Sequence, residues 1–328
     1  MRSLFFYLVS VISGYLITGP AYGQEHPYEI KLVTENDSYR WNLHDGYYTN
    51  GLFVRFNYLP RRLNARIPEG GQLAKVTSSY EVGQMMFNPE KITDINPDQI
   101  DRPYAGYLFA RKSVTFLYRS GNVLNANVSL GTIGPASLAQ PAQLLIHRTF
   151  HFKRPHGWSN QVNDEVGLNA QVQYQYDFIR SSAVRKWIDL HGTSQITLGN
   201  TFTNASVGAL LQIGLFEWAA QSAMYDARVN RGRRRARKPA ELFVYFHPQY
   251  QYQVYNATVQ GGLFRHDKGP VLAPINPWVY GHETGFVFAR HRWTAVVTYS
   301  LKQREASTMR HLEKYGGFSL AYRMGHGL

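Results

Sequence analysis

The chain has 328 residues, enough for one large domain or two ordinary ones, and no cysteine, which excludes a disulfide framework and a thiolate metal site. Its formal net charge of +13 predicts an anionic partner. Because the N-terminus marks the chain for export, we expect no nucleic-acid partner, and an anionic lipid surface or a phosphorylated glycolipid fits the charge better.

Residues 1–23 predict a secretory signal peptide. They combine a positive start, a short apolar centre and, at Ala21-Tyr22-Gly23, a small-x-small cleavage site. The alternative is an N-terminal membrane anchor, which the cleavage signal and the short apolar centre disfavour. Residues 24–328 are then expected to form a single mature domain.

Alternation of apolar and polar side chains predicts strands throughout the mature chain. In the clearest run, residues 166–178, apolar and aromatic side chains alternate with polar ones that include Gln171, Gln173 and Gln175. A globular core would not bury three successive glutamines, whereas a water-filled lumen accommodates them while the other face meets lipid. The pattern therefore predicts an all-β fold, a transmembrane antiparallel β-barrel of a bacterial outer membrane, with a secreted β-sandwich as the competing interpretation.

About twelve strands are expected, an even number, as bacterial barrels require. They fall near 28–36, 47–58, 75–87, 106–118, 122–131, 164–178, 185–199, 204–215, 240–253, 278–289, 291–302 and 314–324. With both termini in the periplasm, the loops at 37–46, 88–105, 132–163, 200–203, 254–277 and 303–313 are extracellular. The turns at 59–74, 119–121, 179–184, 216–239 and 290 are periplasmic.

The turn at 216–239 is strongly basic and includes Arg228 together with a run of arginines from Arg231 to Arg237. We expect it to be a solvated loop. The alternative is contact with anionic phospholipid headgroups of the inner leaflet.

The long loop at 132–163 contains a predicted helix, AQPAQLLIHRTF, with Pro141 at its first position, where a missing N–H costs nothing. Gln143 and His147 are four residues apart and share one helical face. We expect Leu144, Leu145 and Phe150 to dock the helix on the barrel.

Strand counting places several polar clusters from distant parts of the chain at one extracellular rim. They are Asn36 and Asp37 after the first strand, Thr49 at the start of the second, Asp101-Arg102 before the fourth, and Gln143 and His147 in the loop helix. Their convergence predicts a functional site, whereas an ordinary polar hairpin loop would explain any one of them alone.

The residue types at this rim suit ester hydrolysis. His147 can take a proton from water, since histidine exchanges protons near neutral pH. A serine nucleophile is the alternative, because Ser38 and Ser137 are near, although neither lies in a Gly-x-Ser-x-Gly elbow.

The same rim offers oxygen ligands for a hard cation. Asp37, with Asn36, Thr49 or Gln143, supplies the carboxylate, amide and hydroxyl oxygens that Ca²⁺ takes. Such an ion would stabilise the oxyanion that develops as an ester is attacked.

Five motifs carry a family resemblance: TENDSY, DGYYTNG, IDRPYAGYLF, LGTIGPASLAQPAQLLIH and GWSNQVNDEVGLN. Spread over roughly residues 33–170, they resemble the outer-membrane lipid A 3′-O-deacylase family. The resemblance implies a twelve-stranded barrel with its site at the outer rim, between the wall and a loop helix. It also implies Ca²⁺-dependent removal of the 3′-linked acyloxyacyl chain of lipid A.

The resemblance assigns provisional roles. The family's general-base histidine falls on His147 and its helical glutamine on Gln143. Its Asn-Asp pair falls on Asn36 and Asp37, and its strand-start threonine on Thr49.

One departure concerns binding of the substrate. The family's defining deacylase has a Lys-Arg pair in the loop before the Asp-Arg motif, but this chain has only Lys91 there. Lys91, Arg102 and Lys112 are the expected contacts for glycolipid phosphates. For Arg102 the alternative is a salt bridge with Asp101 or Asp37.

The sequence thus predicts a monomeric outer-membrane esterase that acts from the cell exterior on the lipid A part of lipopolysaccharide. Two other classes stay open. An outer-membrane phospholipase would use a serine triad, and a non-enzymatic barrel or pore would be indifferent to His147.

Overall fold

Twelve strands form a closed antiparallel barrel in which each strand pairs with its neighbours in sequence and the last pairs with the first. A computed structural model describes residues 26–40, 46–179, 187–230 and 240–325. The strands are β1 (Tyr28–Asn36), β2 (Tyr47–Tyr58), β3 (Leu73–Asn88), β4 (Ala105–Tyr118), β5 (Val123–Ile133), β6 (Glu165–Asp177), β7 (Ile188–Gly199), β8 (Phe202–Leu215), β9 (Glu241–Asn256), β10 (Trp278–Arg290), β11 (Trp293–Lys302) and β12 (Glu313–Met324). The predicted fold class is confirmed, and the strand bounds differ from expectation by a few residues. The predicted signal peptide lies outside the described residues.

In the described part of the chain, three short α-helices interrupt the connections: α1 (Arg61–Asn64), α2 (Ala139–Phe150) and α3 (Ala257–Gln260). The helix expected in the long loop is therefore present as α2. It begins two residues before Pro141, which is tolerated because the first four N–H groups of a helix have no intrahelical partner. Among the described residues, the helices are all too short or too polar to cross a membrane.

The barrel wall has an apolar outer face and a polar inner face. In β6, Val166 and Leu168 are 66% and 57% exposed, while the alternate residues Asn169 and Gln175 are buried. This inversion of the globular rule is stable only where the outer face meets lipid rather than water. The glutamine face predicted from the sequence is thus the lumen.

We name the two ends of the barrel by the chain. The terminal end is where β1 begins and β12 ends, and the loop end is where β1 ends and β12 begins. The segment carrying α2 connects β5 to β6 at the loop end. The residues that follow β1 and those that precede β4 lie at the same end, as strand counting predicted.

Residues 216–230, named here the plug segment, fold into the lumen at the terminal end. Asp226 accepts from Lys31 Nζ at 2.9 Å and from Arg55 Nη1 at 2.8 Å, both on inward-facing positions. Arg228 is 1% exposed and pairs with Glu241 at 2.6 Å. Arg228 therefore stabilises the plug, and the expectation that it belongs to a solvated loop was wrong. Residues 231–239 lie outside the described part of the chain.

The loop end of the lumen is also filled. Ala257 of α3 packs into a buried cluster with the lumen-facing rings of Tyr48 and Phe87. Arg102 is fully buried, and its guanidinium donates to Glu305 at 2.9 Å and to Thr258 at 3.0 Å. Within the described residues, both ends of the lumen are thus covered, and a polar cavity of about 240 Å³ lies between them.

Candidate active site

Helix α2 packs on the outer face of the barrel wall at the loop end. Its Ala139 joins a buried cluster with Met86 of β3, Tyr104 and Trp158. Gly106 of β4 allows this close approach, because an added Cβ would lie 2.4 Å from the Ala139 Cβ. The boundary between α2 and the wall, named here the cleft, therefore lies on the side of the barrel that faces lipid.

Of the three apolar residues expected to dock the helix, Leu144 is half-buried and the other two point away from the barrel. Leu145 and Phe150 are 66% and 53% exposed, whereas Gln143 and His147 are buried on the face toward the wall. The prediction that Leu145 and Phe150 hold the helix on the barrel was wrong. An exposed apolar face is stable here because a membrane protein can bury it in lipid.

Gln143 is held by one bond to a neighbouring indole. Trp158 Nε1 donates to Gln143 Oε1 at 2.7 Å, and both side chains are 2% exposed. An indole N–H can only donate, so the bond fixes the amide with its oxygen toward Trp158. The amide nitrogen Nε2 is buried and has no hydrogen-bond partner among the described residues.

His147 lies one helical turn beyond Gln143 and is 5% exposed. Its Nδ1 contacts the backbone carbonyl of Lys153. Since a carbonyl oxygen can only accept, Nδ1 carries the proton in the neutral ring and Nε2 keeps a lone pair. The edge of Phe152 packs against the ring at 5.6 Å between centroids. The arrangement leaves Nε2 as the basic atom.

The strand side of the cleft carries the acidic and amide residues. Asp37 begins a turn directly after β1, is fully buried, and its Oδ2 accepts from the Gly46 amide at 2.7 Å. Asn36 Oδ1 accepts from the backbone N–H of Ser38 at 2.8 Å. These local bonds hold the end of β1 against the start of β2.

Thr49 occupies an irregularity at the start of β2. The pairing with β3 shifts register between Tyr48 and Asn50, which makes Thr49 the extra residue of a β-bulge. Its side chain is 2% exposed, and its hydroxyl has no hydrogen-bond partner in the described part of the chain. A buried hydroxyl without a partner is costly, and bound water or an ion would remove that cost.

Strand register links the two halves of the site. Asn36 lies opposite Asn50 in β2, and Asn50 lies opposite Met86 in β3, the residue on which α2 docks. Neighbouring strands are ~4.8 Å apart, so two strand spacings, about 10 Å, separate the end of β1 from the wall beneath the helix. The structure thus brings the five predicted catalytic residues to one corner of the loop end.

Asn88 is a candidate site residue that the sequence analysis missed. It ends β3 opposite Tyr47, one residue from the Gly46 amide that bonds Asp37. The side chain is fully buried, and neither its oxygen nor its nitrogen has a partner among the described residues. Its only sequence signal was its position at the end of a predicted strand, facing the same rim.

Two serines considered as nucleophiles are engaged elsewhere. The Ser137 hydroxyl is fully buried and donates to the Gly134 carbonyl at 2.5 Å. The Ser38 hydroxyl donates to the Asn36 amide oxygen. These bonds favour water over serine as the nucleophile.

The three cations predicted to meet phosphates lie in different places. Lys91 is exposed at the loop end, where we expected it. Arg102 is buried against Glu305 and over the Phe87 ring, with 4.3 Å to the centroid, rather than paired with Asp101 or Asp37.

Lys112 lies on the outer wall, away from the rim. It is seven residues along β4 from Ala105, ~23 Å of strand. Its Nζ donates to the Tyr58 hydroxyl at 2.8 Å and lies 3.7 Å from the Tyr80 ring centroid. Lys112 is therefore too far from the loop end for the predicted contact with the phosphates of a substrate bound there.

Three exposed cations lie at the C-terminal end of α2. The sequence analysis did not select them. Arg148, Lys153 and Arg154 are all exposed at or just after the C-terminal turn of the helix. Their proximity to His147 in sequence was visible, but only the buried position of His147 shows that they border a cleft.

A family model described as "Outer membrane protein LpxR" matches residues 4–324. The chain belongs to the LpxR family of outer membrane proteins. This confirms the family inferred from the motifs and, with the barrel, localisation in the outer membrane. No curated protein matches the sequence significantly.

Solved structures agree with the barrel fold. LpxR from Salmonella typhimurium superposes with a TM-score of 0.71 at 15% identity, covering 90% of this chain and 100% of that one. The β-domain of the Bordetella autotransporter BrkA gives a TM-score of 0.50 at 8% identity, with 91% and 99% coverage. At these identities the likeness shows the barrel fold, so the chemistry of this LpxR family member is argued below from its own residues.

Proposed function

We propose that the chain is a Ca²⁺-dependent esterase that removes the 3′-O-linked acyloxyacyl chain of lipid A, using water activated by His147. The observation that supports this most directly is the position of His147. It is buried with Gln143 on the face of α2 that lies toward the lipid-facing wall, at the same end of the barrel as Asp37 and Thr49. A base in that position meets a substrate that lies in the membrane.

His147 acts as the base through Nε2. It takes a proton from water as the water oxygen bonds to the ester carbonyl carbon. The tetrahedral adduct then breaks its bond to the sugar oxygen, which receives the proton from the imidazolium. The products are a free fatty acid and a lipid A hydroxyl.

Gln143 stabilises the negative charge that develops on the carbonyl oxygen. Trp158 holds the amide oxygen, so the Nε2 hydrogens remain available to donate. A fixed donor in a site without bulk water stabilises an oxyanion more than a mobile one, because no reorganisation is needed during the reaction.

The residues at the end of β1 and the start of β2 fit calcium. The Thr49 hydroxyl and the Asn88 amide are buried without partners in the described residues, and Asp37 is fully buried nearby. Oxygen ligands of these types are the ones that Ca²⁺ prefers. We assign Asn36, Asp37 and Thr49 as ligands and add Asn88. A calcium ion held there supplies positive charge to the ester oxygen.

The surface of α2 is suited to both the acyl chains and the phosphates of lipid A. Leu145 and Phe150 present apolar area to acyl chains. Arg148, Lys153 and Arg154 present positive charge, which suits the phosphates of the glycolipid. Since lipid A lies in the outer leaflet, the loop end faces the cell exterior in this proposal.

The two alternatives fit less well. A pore requires an open lumen, whereas the plug segment and α3 cover its ends within the described residues. A phospholipase with a serine triad requires a serine bonded to the base, whereas Ser38 and Ser137 donate to Asn36 and Gly134.

The proposal is tested by mass spectrometry of lipid A from a host that lacks this activity and expresses the chain. We expect loss of the 3′-linked acyloxyacyl group, abolition by chelation of calcium in isolated membranes, and a fall of 10²–10⁴-fold in His147→Ala. His156→Ala is the matched control, because His156 is exposed in the same loop. Unchanged lipid A with the folded barrel in the outer membrane contradicts the proposal. Release of fatty acid from phospholipid vesicles alone supports the phospholipase instead.

A further inference from the structure

A second cluster of potential metal ligands lies in the lumen at the terminal end. Asp177 ends β6, and Asp189 and His191 lie at the start of β7 on inward-facing positions. One ligand atom from each of the three lies within 4.8 Å of those of the other two. All three side chains are buried. The cluster is at the opposite end of β6 from α2, ~40 Å along a strand of 13 residues.

The ring nitrogens of His191 are unsatisfied in the described part of the chain. It is 1% exposed, and neither ring nitrogen has a hydrogen-bond partner among the described residues. Its Nδ1 lies 3.8 Å from Asp189 Oδ2, too far for a hydrogen bond. A buried imidazole without partners is costly unless something else binds it.

Two further buried polar atoms border the same cluster. Gln212 of β8 lies directly opposite Asp189, is 2% exposed, and its Oε1 has no partner in the described part of the chain. Tyr225 of the plug segment packs its ring 6.1 Å from that of His191. Its buried hydroxyl lies beside the side chain of Gln212. Burial and the neighbouring carboxylates of Asp189 and Asp177 raise the pKa of Tyr225.

We propose that Asp177, Asp189 and His191 bind a divalent transition-metal ion, Zn²⁺, inside the barrel, with Gln212 or water completing the coordination. An imidazole with two carboxylates is a donor set that Zn²⁺ accepts, whereas Ca²⁺ and Mg²⁺ prefer oxygen alone. Ligand atoms of a tetrahedral zinc site are about 3.4 Å apart for bonds of ~2.1 Å. Separations of up to 4.8 Å require a contraction of up to about 1.4 Å.

The ion would join three parts of the fold. Asp177 belongs to β6, Asp189 and His191 to β7, and Gln212 to β8, while Tyr225 brings the plug segment against the same point. A metal that binds the folded state only stabilises it by mass action. The site therefore has a structural role: it cross-links the strands at the terminal end, and it is separate from the ester chemistry at the loop end.

The test uses the full mature chain refolded in detergent, stripped with a chelator and titrated with Co²⁺ as a spectroscopic stand-in for Zn²⁺. Millimolar Ca²⁺ is present to occupy the oxygen site beside α2. We expect one equivalent of Co²⁺ to give a visible absorption band that Zn²⁺ removes. His191→Gln and Asp189→Asn are expected to weaken binding at least 100-fold.

His247→Gln is the matched control, because His247 faces the lumen but its Nε2 lies 3.0 Å from the Thr193 hydroxyl, outside the cluster. His147→Gln is the second control, and it shows whether the Co²⁺ band arises from the site beside α2 instead of from the lumen cluster. Both are expected to keep the band. Folding of each variant is checked by circular dichroism, and Asp189→Asn serves if His191→Gln does not fold. Absence of a band in the wild type, its persistence in the folded cluster variant, or its loss in His147→Gln overturns the proposal.

Discussion

Trp158 donates its indole N–H to the amide oxygen of Gln143 at 2.7 Å, and this bond fixes which way the amide of Gln143 faces. Trp158 itself is held by Tyr104, with 4.9 Å between ring centroids, in the cluster that docks α2. The residue that orients Gln143 is thus part of the packing that places the helix on the barrel. Docking and orientation are coupled through one side chain.

Replacing Trp158 with Phe should therefore lower activity without unfolding the barrel. Phe keeps an aromatic ring against Tyr104 but removes the N–H, so the Gln143 amide is free to rotate. We expect about a tenfold loss in kcat, equivalent to ~1.4 kcal/mol. The loss should largely disappear in a Gln143→Ala background, since the two changes remove one function. Additive losses measured by lipid A mass spectrometry would argue against orientation as the role of Trp158.

Thr49→Val should lower the affinity for calcium and leave the catalytic step at saturating calcium unchanged. Valine keeps the shape of threonine but removes the hydroxyl, which is buried without a partner in the described residues. Loss of one neutral ligand should raise the Ca²⁺ concentration for half-maximal activity about tenfold, or ~1.4 kcal/mol. Thr49→Ser keeps the hydroxyl and is the control. An unchanged calcium titration in Thr49→Val would remove Thr49 from the ligand set.

Asp226→Asn should destabilise the plug segment in a pH-dependent way. Burial raises the pKa of Asp226, but the positive charges of Lys31 and Arg55 outweigh burial, and the pKa is lowered. A lowered folded-state pKa means that the stabilisation is present above the unfolded value near 3.9 and is lost as pH falls through the folded value. At pH 7 the variant should lose about 2 kcal/mol, because Lys31 and Arg55 are partly buried and lose a charged hydrogen-bond acceptor, while Arg55 keeps its pairing with Glu81.

The measurement is urea unfolding of both proteins in lipid vesicles across pH. The difference in the free energy of unfolding should be constant above about pH 5 and shrink below about pH 4. Planar bilayers give a second measurement, because a displaced plug opens the lumen and raises conductance. A difference that does not change with pH would indicate that the carboxylate charge of Asp226 is not what holds the plug.

The barrel and the placement of the candidate site residues at one end of it could be predicted from the sequence because both follow from local pattern. In β1 and β2 one face meets lipid and the other a polar lumen, so apolar and polar residues alternate and the strands can be recognised from the sequence. Because successive strands run in opposite directions, counting them then places Asn36 and Thr49 at the same end of the barrel. Gln143 and His147 share a helical face by their spacing alone.

What could not be predicted depends on contacts between distant segments. Leu145 was expected to face the barrel because apolar side chains usually face protein, but here the helix has lipid on its other side. The pairing of Arg102 with Glu305 joins loops two hundred residues apart, and no local pattern indicates it. The pairing of Asp226 in the plug segment with Lys31 likewise could not be predicted, because the two residues are 195 positions apart in the sequence and no local pattern links them.

The orientation of the barrel leads to a prediction about labelling on whole cells. If the loop end faces outward, a membrane-impermeant maleimide should label a cysteine at Arg154, which is exposed beside α2. The natural chain has no cysteine, so every signal reports the introduced residue. Arg66→Cys is the control, because Arg66 is exposed in the connection between β2 and β3 at the terminal end. It should be labelled only after the outer membrane is permeabilised. Labelling of Arg66→Cys but not Arg154→Cys on intact cells would reverse the orientation and place α2 against the inner leaflet, where lipid A is not its substrate.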